Sequence, residues 1–218
     1  MTRAGWTLVA AIALAAVVLF APAIRQDQSY HHFADERTLF GIPNFWNVIS
    51  NAPFAIVGAI GLARLRDRAS RMMFAGIFLT AFGSAYYHWS PNDSTLVWDR
   101  LPMTMVFMTI FAIVIGLEKR LIVFVLIGVA SVFWWSVTGN LVPYVLVQFL
   151  PMFVIPVVLA VRGPKALWPV VACYAAAKIL EAMDVQVASH FPLSGHTLKH
   201  FAAAGATWFI FAWRRITT

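Results

Sequence analysis

The chain has 218 residues, of which 61% are hydrophobic and 11% are charged. A soluble domain is about half apolar and about a quarter charged, so the composition excludes an ordinary soluble protein. The formal net charge of +7 does not indicate nucleic-acid binding, because the basic residues stand at the ends of apolar runs. The single cysteine, Cys173, excludes an intramolecular disulfide and a cysteine-based zinc site.

Eight apolar segments follow one another along the chain. Each is near the roughly 20 residues that a helix needs to cross a bilayer, and only helices or closed barrels satisfy their backbone in lipid. The sequence therefore predicts an all-α integral membrane protein. The segments cover residues 5–24, 45–62, 72–89, 101–117, 121–137, 141–161, 166–187 and 195–213.

The first segment has two interpretations. Arg3, the apolar run and the small residues at 21–23 also fit a signal peptide, although the run is long for one. We expect it to be retained, so that residues 1–25 form an N-terminal transmembrane helix or signal anchor and residues 26–218 form a seven-helix domain. If it is cleaved, a seven-helix bundle remains with its N-terminus outside.

The basic residues between the segments alternate in number from one side to the other. Eleven Lys and Arg residues fall on the side of both termini and four on the opposite side, while Lys178 lies within a segment. Because positively charged loops stay in the cytoplasm, the pattern predicts eight crossings with both termini cytoplasmic.

This topology brings five polar residues to the outer membrane face. Ser84 and His88 are four residues apart at the outer end of the third segment, and Asp99 starts the fourth. His196 and His200 are also four apart, at the outer start of the last segment. Residues at this spacing share one face of a helix, so we expect all five side chains at one depth.

Such a set suits zinc chemistry. Three neutral imidazoles bind Zn²⁺ and leave a fourth position for water, a carboxylate can carry the proton, and a hydroxyl can stabilise an oxyanion. The alternative for each histidine is an interfacial, hydrogen-bonded residue, and for Ser84 it is helix packing. The H-x-x-x-H pair is not the H-E-x-x-H protease motif, because no Glu follows His196.

Four motifs together resemble the alkaline ceramidase family, which belongs to the CREST membrane hydrolases along with the adiponectin receptors. They are FWNVISN at 45–51, GSAYYH at 83–88, DRLPM at 99–103 and HTLKH at 196–200. The resemblance covers about residues 30–213. It implies a seven-helix bundle that cleaves ceramide into a sphingoid base and a fatty acid, and we expect a bacterial-type member in an inner membrane with its active site facing outside.

By resemblance, His88, His196 and His200 are the zinc ligands, Asp99 orients or activates water, and Ser84 supports the site. The family's calcium site has an acidic residue before FWN, where this chain has Asn44. Calcium binding is therefore not favoured, although Asp35 and Glu36 could supply oxygen ligands.

Two further groups of polar residues are open to alternatives. Lys178, Glu181 and Asp184 lie within the seventh segment. Lys178 and Glu181 suit a structural ion pair, whereas a retinal-binding Lys178 leaves the histidines unexplained. Asp184 can orient a zinc-bound histidine. Asn47, Ser50 and Asn51 are expected to hydrogen-bond between helices.

The predicted function is zinc-dependent hydrolysis of a lipid amide, with a membrane lipid such as ceramide or another N-acyl lipid as the partner. The alternative is a lipid- or metal-binding receptor or transporter that uses the same pocket without turnover. A transporter requires ionisable residues across the whole bilayer, whereas here the histidines and carboxylates cluster on one side.

Overall fold

The computed structural model describes residue 17 and residues 20–218 of the chain. Most of the first apolar segment, and with it the choice between a retained helix and a signal peptide, therefore lies outside the described residues. Within them the secondary structure is helical apart from turns and one isolated bridge between Leu39 and Ile42. The all-α prediction is confirmed.

Between residues 45 and 217 of the described part, nine α-helices follow the order of the predicted segments. They are α1 (Phe45–Ile49), α2 (Ala52–Arg64), α3 (Arg68–Trp89), α4 (Asp93–Val114), α5 (Leu121–Thr138), α6 (Val142–Val161), α7 (Trp168–Ala182), α8 (Asp184–Ala188) and α9 (Gly195–Thr217).

Two of the predicted segments are interrupted in the structure. Segment 45–62 is divided into α1 and α2 at Ser50 and Asn51, directly before a proline in the first turn of α2. Segment 166–187 is divided into α7 and α8 at Met183. Both interruptions lie beside the three histidines, where polar side chains need directions that a straight helix does not give them.

In the described part of the chain, four helical segments are long and apolar enough to cross a membrane: Phe45–Arg64, Asp93–Val114, Glu118–Thr138 and Val142–Val161. Large apolar side chains such as Leu126 on α5 and Phe153 on α6 are more than half exposed. A soluble monomer rarely presents extended apolar surface of this kind, so these helices indicate a membrane protein. The other long helices, α3 and α9, carry the histidines and several basic residues.

Close contacts between α3 and its neighbours fix the centre of the bundle. A Cβ atom added at Gly58 would come within 2.6 Å of the Phe78 backbone, and one at Gly83 would come within 2.1 Å of the Trp98 carbonyl oxygen. Only glycine permits these approaches, as is common where membrane helices pack closely. Gly83 and Trp98 directly precede Ser84 and Asp99, so this contact also sets the distance between the two site residues.

Candidate metal centre and lipid cavity

The three predicted histidines converge at one end of the bundle. His88 lies in the last turn of α3, while His196 and His200 lie in the first turns of α9, and all three are buried. Nε2 of His88 lies 3.2 Å from Nε2 of His200 and 3.4 Å from Nε2 of His196. Ligands about 2.05 Å from a tetrahedral zinc stand roughly 3.3 Å apart, so the two distances fit such a site.

The hydrogen bonds around His200 leave its Nε2 free for a metal. Ser50 Oγ donates to the Asn47 carbonyl oxygen and lies 2.7 Å from His200 Nδ1. Since the serine proton is already used, Nδ1–H donates to Ser50 and the lone pair is on Nε2. A partner of this kind fixes the tautomer of a metal-binding histidine. The predicted interhelical role of Ser50 is thus more specific than the sequence indicated.

The start of α9 is fixed by three acceptors. Ser194 caps the helix by accepting from Thr197 N–H, and Thr197 Oγ1 donates to Asn47 Oδ1 over 2.7 Å. Asp184 Oδ1 accepts the backbone N–H of His196 over 2.6 Å, and its Oδ2 accepts from Ala34 N–H. Asp184 therefore positions His196 through the backbone, whereas the sequence suggested an interaction with an imidazole.

The loop that precedes α1 packs against the histidines. The Phe33 ring, which is 6% exposed, lies 4.5 Å from the His196 ring and 4.9 Å from the His88 ring between centroids. Asn44 Nδ2 donates to the His88 carbonyl oxygen over 2.8 Å. The Phe33 ring therefore adds an apolar surface beside two of the three imidazoles. No sequence spacing pointed to Phe33, because its loop is brought there only by the tertiary fold.

Ser84 and Asp99 lie in the wall of the same cavity as His88 and His200. The Asp99 side chain is buried, and its Oδ1 has no hydrogen-bond partner among the described residues. Among the described residues, the three histidines form the group of three possible ligand side chains whose ligand atoms all lie within 4.8 Å of one another. Asp99 therefore stands beside the histidine cluster without belonging to it, where it can handle a proton.

The cavity encloses about 660 Å³ and runs from the histidines into the apolar interior. The part beside the histidines is polar, whereas the remainder is lined largely by apolar side chains, many of them on α4, α6, α7 and α9. These include Phe107, Ile110, Met152, Ile155, Val171 and Ile210. This shape suits an amphiphile whose head lies near the histidines and whose acyl chain lies between the helices.

The lysines near the cavity are paired. Glu181 accepts from Lys178 on its own helix and from Lys199 Nζ over 2.5 Å. This is the structural pairing that the sequence predicted for Lys178, extended by a second lysine. The Lys199 bridge also ties α7 to α9 close to the histidines, because Lys199 lies between His196 and His200 on α9.

The candidate calcium residues have other partners. Asp35 forms an ion pair with Arg37, and the hydrogen bond from the Arg37 guanidinium holds the pKa of the Asp35 carboxyl below its usual range. Asn44 Nδ2 donates a hydrogen bond to the His88 carbonyl oxygen. Both carboxylate oxygens of Asp35 are thus engaged by Arg37, which does not favour their use as ligands of a hard cation.

Comparison with known proteins agrees with the geometry. Residues 39–214 match the family model described as Ceramidase. The chain belongs to the ceramidase family. No curated protein and no solved structure matches it. Membership of this family implies a hydrolase and suggests lipid amides as its substrates. Together with the three buried histidines, which could hold a metal ion, it makes this end of the cavity the candidate active site.

Proposed function

We propose that this ceramidase-family member is a zinc-dependent amidohydrolase that cleaves a ceramide-like N-acyl lipid into a free fatty acid and an amine or sphingoid base. The observation that carries the proposal is the meeting of three imidazole Nε2 atoms at the polar end of a long apolar cavity. In this proposal His88, His196 and His200 hold the zinc. When bound, zinc lowers the pKa of a coordinated water to about 7 and polarises a carbonyl.

The chain's own residues supply the rest. The cavity places the acyl chain between the helices and the amide near the histidines. Asp99 accepts the proton of the attacking water and returns it to the leaving amine, for which its unpartnered Oδ1 is available. The Ser84 hydroxyl donates to the oxygen on which negative charge develops. Phe33 limits the access of other water from the outer loop.

We also propose that the domain 26–218 spans the membrane with seven helical segments, where α1 and α2 count as one and α7 and α8 as another. Residues 1–25, most of which lie outside the described residues, are the N-terminal transmembrane helix or signal anchor of this proposal, which puts both termini in the cytoplasm. The distribution of basic residues supports this arrangement and places the histidines on the outer side. A reporter fused after Arg215 should be cytoplasmic, and one inserted in the loop at 90–95 should be external; the reverse contradicts the orientation.

The test of the activity is release of fatty acid by purified, metal-loaded protein from a panel that contains ceramide and other N-acyl lipids in detergent or liposomes. We expect hydrolysis of at least one amide, and none by His200→Ala. Folded, zinc-loaded protein that cleaves no member of a broad panel contradicts the proposal. That result favours a receptor that binds lipid in the same cavity.

A further inference from the structure

Two arginines are buried in the described part of the chain, and they differ in their partners. Arg214 is paired with Asp67. Arg100, which is 6% exposed, forms no ion pair with any described residue. A buried charge without a counter-charge is costly, so such a group is retained for a ligand or for a special structural reason.

The surroundings of Arg100 hold the guanidinium in place without neutralising it. Its Cζ lies 4.2 Å from the Trp135 ring centroid and 4.5 Å from that of Tyr144, within the range of cation–π contacts. Nη2 donates to Gln26 Oε1 over 2.7 Å, whereas Nη1 has no hydrogen-bond partner among the described residues. The contacts fix the plane of the guanidinium and leave hydrogen-bonding capacity unused.

Arg100 lies in the wall of the cavity that holds the histidines, and it directly follows Asp99. Glu181, which also lines this cavity, is shared by Lys178 and Lys199, so the two lysines are not both neutralised. Among the described residues, the cavity wall contains four cationic side chains, of Arg25, Arg100, Lys178 and Lys199, and three carboxylates, of Asp27, Asp99 and Glu181, so one positive charge is in excess before any metal is bound. A ligand that carries a negative charge would compensate this excess.

We propose that Arg100 is the anion-recognition residue of this cavity, and that the preferred substrate is an N-acyl lipid whose head group carries a carboxylate or another small oxyanion. The carboxylate of an N-acyl amino acid is the simplest example. Arginine suits this task, because its planar donors match two oxygens of one anionic group. This inference rests on the proposed function, since it assigns the head group of the amide that would be cleaved.

The test compares two amides with the same acyl chain, N-palmitoylglycine and the neutral N-palmitoylethanolamine. We expect the wild-type protein to have the higher kcat/KM for the glycine amide. In Arg100→Gln the ratio of the two kcat/KM values should fall about 10- to 100-fold, which is the usual effect of losing a charged hydrogen-bonded pair. In Arg100→Lys the ratio should fall less, because lysine keeps the positive charge but loses the bidentate geometry of the guanidinium.

Arg162→Gln is the matched control, because Arg162 is exposed and lies outside the cavity. It should keep the wild-type ratio. A wild-type preference for the neutral amide, or an unchanged ratio in Arg100→Gln, overturns the proposal. If Arg100→Gln does not fold, Arg100→Lys decides, and an unchanged ratio there overturns it as well.

Two further measurements separate the alternatives. Equilibrium binding of the same two lipids should show the same loss of preference in Arg100→Gln. If this loss is seen but the protein cleaves neither lipid, the assignment of Arg100 to the anionic head group stands and the proposed hydrolysis fails. The second is inhibition by palmitate. If Arg100→Gln only relieves that inhibition and leaves the ratio intact, Arg100 binds the carboxylate of the product and the head-group assignment is wrong.

Discussion

Helices α3 and α9 each carry buried polar residues near both ends, and the two resulting clusters differ in how their atoms are paired. In the first cluster Arg214 donates to Ser70 Oγ over 2.9 Å and to Asp67 Oδ1 over 2.6 Å, and Asp67 Oδ1 also caps α3 at Ser70 N–H. Of its side-chain atoms in the described chain, only Asp67 Oδ2 is buried without a partner. This cluster ties the beginning of α3 to the end of α9.

The second cluster contains the histidines, Asp99 and Arg100. Here His88 Nδ1, Asp99 Oδ1 and Arg100 Nη1 are all buried without hydrogen-bond partners among the described residues. Nε2 of His88 faces Nε2 of both His196 and His200. A single N–H on His88 can donate to only one of these two nitrogens, so the contacts cannot all be hydrogen bonds from His88. A polar cluster that is paired internally stabilises the fold, whereas one that is left incomplete indicates a site for something external.

Removal of a histidine should have the largest effect on this second cluster. His200→Ala should reduce zinc from about one per chain to a trace and abolish hydrolysis, because two imidazoles rarely retain zinc against dialysis. The measurement is metal analysis of the purified protein together with release of fatty acid. The exposed His190 provides the control, and His190→Ala should retain both. Full zinc content in both His196→Ala and His200→Ala would falsify the ligand assignment.

Asp99→Asn should separate metal binding from proton transfer. The variant should keep its zinc, since Asp99 is outside the histidine cluster, yet lose about 10²–10⁴-fold in kcat, the typical contribution of general acid–base catalysis. Ser84→Ala should cost less if its hydroxyl only assists. Hydrolysis at the wild-type rate in Asp99→Asn contradicts the mechanism while leaving the enzyme assignment intact.

Arg214→Met tests the paired cluster. Removing one partner of a buried ion pair typically costs about 3–5 kcal/mol, so the unfolding temperature should fall substantially while the folded variant keeps its zinc and its activity. Burial alone would raise the pKa of Asp67, but hydrogen bonds from Ser70 and the charge of Arg214 lower it below its ordinary value. The stabilisation is therefore present above the ordinary carboxyl pKa of about 4, and is lost as the pH falls through the lower folded-state value.

The dependence of stability on the ionisation of Asp67 gives a second test of the same variant. The difference in unfolding temperature between the wild-type protein and Arg214→Met should narrow on acidification below about pH 4, because Asp67 becomes protonated in both. A difference that does not change with pH means that the charge of Asp67 does not carry this stabilisation, and a loss of zinc in Arg214→Met means that the two clusters are not independent.

Ser50→Ala should have a smaller effect on the metal than loss of a histidine. The substitution removes the acceptor of His200 Nδ1, and loss of such a partner typically weakens metal affinity about 10- to 100-fold. Competition with a chelator measures the affinity. Ser136→Ala is the matched control, because Ser136 is an exposed serine that bonds only within its own helix. Equal affinities in the two variants would leave Ser50 with a packing role only.

Calcium removal should have the smallest effect. Since Asp35 is engaged by Arg37 and Asn44 offers an amide nitrogen to the His88 backbone, a calcium-selective chelator should leave hydrolysis unchanged. The assay needs a zinc-replete protein, so that loss of zinc is not mistaken for loss of calcium. Strong inhibition that added calcium reverses would show that Glu36 or backbone oxygens compose a site after all.

The sequence by itself determined the helical class of the protein and indicated the chemistry of its candidate site. In lipid, the backbone of a run of about 20 apolar residues can form all its hydrogen bonds only in a helix or in a closed barrel. Composition and segment length therefore predict the helical class directly. The four-residue spacings of Ser84 with His88 and of His196 with His200 are local, and a helix converts them into shared faces. The four motifs then pointed to the family that the match over residues 39–214 establishes.

Only the tertiary structure decided how the site is supported. The contacts of Phe33, Ser50 and Asp184 join residues that are distant in the chain, with sequence separations such as 150 between Ser50 and His200. No periodicity records such pairs, because they depend on where the loop at 25–44 folds and on where α7 is interrupted. The same holds for Arg100. Its position beside Asp99 is evident in the sequence, but its lack of a counter-ion is a property of the packed bundle.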